Sequence, residues 1–367
     1  MIQGQSDRPF PGSPGRGRRN PPGESGFGAR VHREYRDLRD SMLTDSQRAR
    51  LERHRGPLRF VIAAWWLLRG LLLFLTPTRR LLLLIGIVLT LVHINIQGER
   101  WNADGGFVPA GLLIILFVLM LELKDKLLAR HELEDGHAVQ RALMPERSPL
   151  VPGWRLWLFT RPANDVGGDL VDFVGLEGGT SALTIGDVSG KGLKAALLTA
   201  RLQATLRAFI LDSPTLVDLV SRVNAVFRRD SLRQIFASVI CAGIGPGSGV
   251  VRIVNAGHPP PILIRPGGIE QMEKAGPALG LMDSAKFSEQ VVDLAPGEIV
   301  LLYSDGLIET RNPAGEFFGE ERLRNLLPGS CASPAAVLGE RLVAACDNFQ
   351  GDAPSHDDLS LVILQRS

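Results

Sequence analysis

Four aspartates stand out for where they fall. Asp169 in "DVGGDLVDF", Asp187 in "LTIGDVSGKG", Asp305 in "LLYSDGLIE" and Asp357 in "SHDDLSLVI" each lie at the end of a predicted strand or in a tight turn beside glycine. Glycine permits sharp turns and lets a metal or phosphate approach the backbone. One such aspartate is ordinary turn chemistry; four at strand ends form a candidate constellation. If the strands converge, the carboxylates repel one another unless cations sit between them. Hard divalent ions such as Mg²⁺ or Mn²⁺ accept carboxylate and water oxygens. The residues alone do not show convergence.

The stretch around Asp187 also resembles a nucleotide loop. A Walker A loop needs Gly-x-x-x-x-Gly-Lys-Ser/Thr, because its length sets the nest of amides around the phosphates and its hydroxyl binds magnesium. Here Gly186, Asp187, Val188, Ser189, Gly190, Lys191, Gly192 is one residue short and has glycine in place of the hydroxyl residue. Asp187 would sit among the phosphate oxygens, so ATP binding is disfavoured. Lys191, Lys194 and Arg161 are at most weak phosphate contacts. Cys241, Cys331 and Cys346 lack Cys-x-x-Cys spacing, which argues against zinc and a disulfide framework.

The elements that must position these carboxylates lie in residues 144–367. Strand-like runs are "WRLWLFTRPA", "LVDFVGL", "SALTIGD", "FASVICAGIG", "VVRIVNAG", "PPILIRPG", "FSEQVVDL", "EIVLLYSDG" and "LSLVILQR". Helices are predicted over Gly192–Leu211, Leu216–Asp230, Gly319–Leu327 and Pro334–Phe349. Strands in succession with helices grouped between them indicate an α+β fold, antiparallel sheets flanked by helices. The stripe Leu193, Leu197, Ala200, Ala204 has helical spacing and reads as core. His258 in "NAGHPPP" reads as a turn residue with satisfied hydrogen bonds.

The preceding chain differs in composition. Residues 1–57 hold twelve Arg, no Lys and seven acidic residues; their Pro, Gly, Ser and charge content predicts disorder and then a solvated helix. Between residues 58 and 123 come "LRFVIAAWWLLRGLLLFL", "LLLLIGIVLTLVHINI" and "FVPAGLLIILFVLMLEL". Three apolar blocks so close together predict a transmembrane module of two or three helices in contact with membrane lipid. Arg79 and Arg80 before the second block, and Lys124, Lys126 and Arg130 after the third, place both ends of that hairpin in the cytoplasm by the positive-inside rule. A charged linker helix is predicted over residues 119–143, with Gly136 as a candidate hinge and loose heptad spacing for a homodimer. A formal net charge of +2 gives no reason to expect nucleic acid as a partner.

Six blocks occur in a telling order: "QRALMPERSPLVPGWRLWLFTRPANDVGGDLVDF", "IGDVSGKGLKAALLTARL", "VNAGHPPPILI", "GPALGL", "PGEIVLLYSDGLIETRNPAGEFFGEERL" and "HDDLSLVILQR". Over about residues 138–367 the chain resembles the SpoIIE-like branch of metal-dependent serine/threonine phosphatases, bacterial relatives of protein phosphatase 2C. The resemblance implies a β-sandwich flanked by helices and two Mn²⁺ or Mg²⁺ ions that activate a water to attack phosphoserine or phosphothreonine. It implies Asp187 as the bridging ligand, the Val188 carbonyl as a ligand of one ion, Asp169 as a contact to one ion, direct or through water, and Asp305 and Asp357 on the other side, with Asp358 a supporting group. Asp187 and Asp305 are then the residues closest to catalysis. A phosphorylated anti-sigma-factor antagonist is the implied kind of substrate. The resemblance does not cover the first 137 residues; taken with the apolar blocks read above, it makes a bacterial cytoplasmic membrane the expected setting, with the phosphatase domain facing the cytoplasm. Ser189 stands where eukaryotic relatives carry a His, which leaves the general acid unassigned, and Leu170–Val171 replaces an aromatic pair. The alternative is a catalytically silent scaffold of the same fold, whose mark would be loss of a metal carboxylate; all four are present.

Overall fold

The computed structural model describes residue 66 and residues 75–96, 107–230, 235–273 and 276–367. The expectations for residues 1–57, and for nearly all of the first apolar block, lie outside the described residues. The chain divides into two compact units, Met1–Asp125 and Lys126–Ser367, and each is described by itself.

In the first unit, α1 (Pro77–Ile96) packs on the beginning of α2 (Phe107–Ala142). A β-carbon on Gly86 would stand 3.0 Å from the Gly111 carbonyl, and one on Gly111 2.4 Å from the Thr90 hydroxyl. Glycine at both positions is therefore what lets the helices meet. Arg79 binds Glu122 at 3.0 Å and Asp125 at 2.5 Å. Among the described residues no helix is long and apolar enough to cross a membrane. The expected transmembrane module, its lipid contact and the anchoring at a cytoplasmic membrane are corrected by that finding. The physical reason lies in how the apolar runs are used. α1 carries Arg79 and Arg80 in its opening turn, and the apolar opening of α2 passes without a break into the charged stretch from Glu122 onward. Residues 119–142 of the expected linker helix belong to α2, which continues through Gly136.

The second unit has four layers. One sheet has the order β1 (Trp154–Arg161), β10 (Leu359–Arg366), β9 (Ile299–Tyr303), β6 (Ile262–Arg265), β7 (Gly268–Gln271). The other has the order β2 (Asp169–Gly175), β3 (Ser181–Val188), β4 (Ala237–Ile244), β5 (Val250–Ala256), β8 (Glu289–Asp293). All pairings are antiparallel. Leu156, Val171, Leu183, Ile185, Ile240, Val300 and Val362 fill the space between the sheets. α3 (Leu193–Ile210) and α4 (Leu216–Asp230) cover the outer face of the second sheet. The outer face of the first is covered by α5 (Asp305–Glu309), α6 (Gly319–Leu326) and α7 (Ala335–Gln350). Because both faces of each sheet are covered, β9 and most of β10 are buried on every residue, and their sequences read as unbroken apolar runs.

α7 approaches β1 closely. A β-carbon at Gly339 would stand 2.2 Å from the Trp157 ring. Gly339→Ala is expected to destabilise the chain by about 1–3 kcal/mol through overpacking, read as a lower midpoint in chemical denaturation.

α3 corrects one sequence expectation. Leu193 and Leu197 are 46% and 63% exposed, and Ala204 is exposed as well. The buried face carries Ala195, Ala196, Thr199, Leu202, Gln203, Leu206 and Ile210. Close packing selects small residues there: the Thr199 hydroxyl donates to the Gly168 carbonyl at 2.6 Å. Hydropathy underrates such a face.

Candidate active site

Side chains alternate across a strand, and this alternation aims the residues of β3. Leu183 and Ile185 point into the core between the sheets, whereas Ala182 and Val188 face the helices. Asp187 therefore points inward, at the last inward position of β3. Asp169 on β2 and Ser238 on β4 are its register partners, so the three side chains form one row on the inner face. The facing sheet contributes Thr160, Ser304 and Ser360 at the same end, each two residues along its chain from an inward apolar residue: Leu158, Leu302 and Val362. At this end the inter-sheet core turns from apolar to polar.

Two carboxylates are tied down. Asp169 is buried, and its Oδ2 accepts a hydrogen bond from the Ser360 hydroxyl at 2.5 Å. Asp358 Oδ2 accepts from the backbone N–H groups of Gly168 at 2.6 Å and Asp169 at 3.2 Å, and its Oδ1 from Ala163 at 2.7 Å. A β-carbon on Gly167 would stand 2.4 Å from that carboxylate. The "GG" before Asp169 is thus the seat of Asp358, which clamps the β1–β2 loop to the start of β10.

The rest stay less committed. Asp305 opens α5 just beyond β9. Asp357 precedes β10, with one oxygen receiving the Asp358 N–H at 3.0 Å. The carboxylates interact electrostatically. Burial, and then Asp305, Asp357 and Asp358, push Asp187 up to about 7. Burial, Asp358 and Asp187 hold Asp169 well above the usual carboxylate range, and burial with Asp357 raises Asp305. All four candidate aspartates are therefore in one electrostatic neighbourhood. Among the described residues no group of three or more acidic, His or Cys side chains has ready-made metal-binding spacing. The donor set nevertheless suits a hard divalent cation, which would relieve the mutual repulsion that adds to burial in raising these groups.

Other candidates resolve differently. Arg161 pairs with Asp347 at 2.6 Å. Asp172 is buried against Arg207 at 2.6 Å. The Ser189 hydroxyl accepts the Phe236 N–H at 3.0 Å. Burial pushes the Cys241 and Cys346 thiols up to about 12, far from the thiolate that a nucleophile requires. The His258 backbone is clamped by the Asn255 side chain, as a turn residue's would be. Its ring is buried, holds Ser238 at 2.8 Å through Nδ1, and has no hydrogen-bond partner of normal geometry at Nε2. Burial lowers it to about 3, so the ring is neutral.

Residues 177–367 match the family described as stage II sporulation protein E (SpoIIE). The chain belongs to the SpoIIE family. Protein IcfG of Synechocystis is 27% identical to this SpoIIE-family chain over 307 residues, 75% of this chain and 48% of that protein. The chain thus spans about half the length of that relative. Phosphoserine phosphatase RsbU of Bacillus subtilis is 23% identical over 239 residues, covering 65% of this chain and 70% of RsbU. The SiaA-PP2C domain of Pseudomonas aeruginosa superposes with a TM-score of 0.59 at 20% identity, over 66% of this chain and 99% of that domain. That likeness concerns the fold, and it agrees with the two antiparallel sheets and their helical covers.

Two features of this SpoIIE-family site were not among the sequence expectations. The Asp358 clamp is invisible in the sequence because its partners are backbone amides. Ser360, the second residue of a largely apolar strand, is readable as an inward polar residue, since period-two alternation puts it on the face of Val362.

Proposed function

We propose that the chain is a metal-dependent protein phosphatase that hydrolyses phosphoserine or phosphothreonine, holding two Mn²⁺ or Mg²⁺ ions on Asp187, Asp169, Asp305, Asp357 and the Val188 carbonyl. The observation that carries the reading is the inward row at the open end of the sandwich, where Asp187 shares its electrostatic environment with acidic groups from both sheets. The bound ions would supply an activated water and neutralise phosphoryl oxygens. The chain's own residues do the positioning. Asp187 is held by the pairing of β3 between β2 and β4, Asp169 by Ser360, and the β1–β2 loop by Asp358. A site built on strands and locked by neighbouring hydrogen bonds keeps its geometry within the tolerance catalysis needs.

The likeness to a phosphoserine phosphatase supports a phosphoprotein substrate, and the family resemblance supports a phosphorylated anti-sigma-factor antagonist as its class. A homodimer joined through residues 119–142 of α2 belongs to the same reading. The test uses the full chain and an aryl phosphate. Hydrolysis is expected with added Mn²⁺, to vanish with EDTA and to return when Mn²⁺ is restored. Turnover that survives chelation would sink the proposal.

A further inference from the structure

Lys191, in the "GDVSGKG" stretch, is required neither by the turn nor by the proposed chemistry. Its ammonium donates to the His356 carbonyl at 2.6 Å and lies 3.8 Å from Asp357 Oδ2. A small cavity there is lined by Gly168, Asp187, Lys191, His356, Asp357 and Asp358. The lysine thus reaches from the turn after β3 to the loop before β10, joining the two segments that carry Asp187 and Asp357. Its field also acts on Asp187, in the direction that favours the ionised form. The backbone requires no lysine at this position. Gly190 and Gly192, at φ 121° and 71°, set the turn, and the Lys191 side chain is 65% exposed.

From this arrangement we infer that Lys191 is a tethered counter-ion, a positioning residue that occupies the Asp357 side of the acidic cluster and competes with divalent cations for it. The inference rests on the metal reading of the site proposed above. An ammonium is a point charge on a flexible stem, so it can hold two acidic loops together without metal and swing away when a doubly charged ion arrives. It carries one charge against the ion's two and has no fixed coordination geometry, so it loses the competition at sufficient metal concentration. Lys191 therefore sets how much metal is needed.

The test is a calorimetric titration of the full chain with Mn²⁺, beside thermal unfolding without metal. Lys191→Gln is expected to bind Mn²⁺ roughly three- to tenfold more tightly at low ionic strength, the size of one nearby exposed like charge. The difference should shrink as salt is raised toward 1 M, where screening acts within a few ångströms. The same variant should unfold at a lower temperature without metal, and Lys191→Arg, which keeps the charge, should remain close to the parent in affinity. Unchanged or weaker Mn²⁺ affinity in Lys191→Gln, with the parent binding normally, overturns the role of Lys191 alone. Failure of the parent to bind Mn²⁺ or Mg²⁺ at any concentration overturns the metal reading and this inference with it.

Discussion

Asp187→Asn is expected to lower aryl phosphate turnover by about three orders of magnitude or more at saturating Mn²⁺. Each tenfold corresponds to about 1.4 kcal/mol of barrier, and on the proposed metal-dependent mechanism loss of the carboxylate that would hold the ions removes several kcal/mol of charge stabilisation. Asparagine keeps the shape and one oxygen, so the β2–β3 ladder should survive. Stability supplies the second readout. Asp187 is raised from an ordinary carboxylate value to about 7, chiefly by burial and then by Asp305, Asp357 and Asp358. A group raised on folding contributes stability that is fully present below its unfolded value near 3.8 and is lost as pH rises through about 7. The metal-free parent should therefore lose stability across that window, whereas Asp187→Asn lacks this group's share and should lose less. Thermal unfolding at about pH 5 and about pH 7.5, with EDTA, measures the difference. Equal pH slopes for the two proteins would count against the electrostatic account, and full activity in the variant would count against the mechanism.

Gly306→Ala should be the most damaging single-methyl change near the site. A β-carbon there would stand 1.9 Å from the Asp358 carbonyl oxygen and 2.8 Å from its carbon. Both are backbone atoms at the start of a central strand, so no side-chain rotation relieves the clash. The expected cost is about 3 kcal/mol or more, at the upper end for overpacking. In a unit of this size that lowers the unfolding temperature by roughly 6–12 °C. Metal affinity should fall too, because Asp305 and Asp357 sit on either side of the strained contact. Gly136→Ala is the matched control: its new methyl would meet Leu193 and Val166 at 3.7 Å and 3.8 Å, ordinary contact distances, so a change below about 1 kcal/mol is expected. A stable Gly306→Ala would show that the β9 and β10 ends can separate without cost.

The long apolar strands are legible in the sequence because burial on both faces leaves an unbroken hydrophobic run, as in "EIVLLY" and "LSLVIL". β7 is not, because "GIEQ" lies at a sheet edge with exposed and half-buried residues alternating. α5 hides in a turn signal, since Asp305–Gly306 looks the same whether the chain turns or coils once. On α3 the helix is legible and its buried face is not. A leucine pair is a louder signal than the small Ala195, Ala196 and Thr199 that touch the sheet. The second and third apolar blocks show the opposite limit. Hydropathy over a window registers how apolar a run is and ignores where the helix around it begins, ends and becomes charged. In the site, the types and spacing of the aspartates are enough to nominate them. Their division of labour is not legible, because it depends on which oxygens are taken by amides and hydroxyls, and those partners lie far away along the chain.

The pairing of β1 with β10 has a consequence for how this protein is made. Trp154 lies opposite Arg366 and Arg161 opposite Leu359, so the first strand of the second unit to leave the ribosome gains its sheet neighbour from the last. Until then β1, rich in Trp and Phe, is an unpaired edge of the kind that aggregates during synthesis. Such long-range closure is slow. Asp357 and Asp358 emerge immediately before β10, so the acidic cluster is assembled at the same moment that this edge is closed. Shortage of chaperones should therefore reduce yield more than it reduces the activity of the molecules that survive.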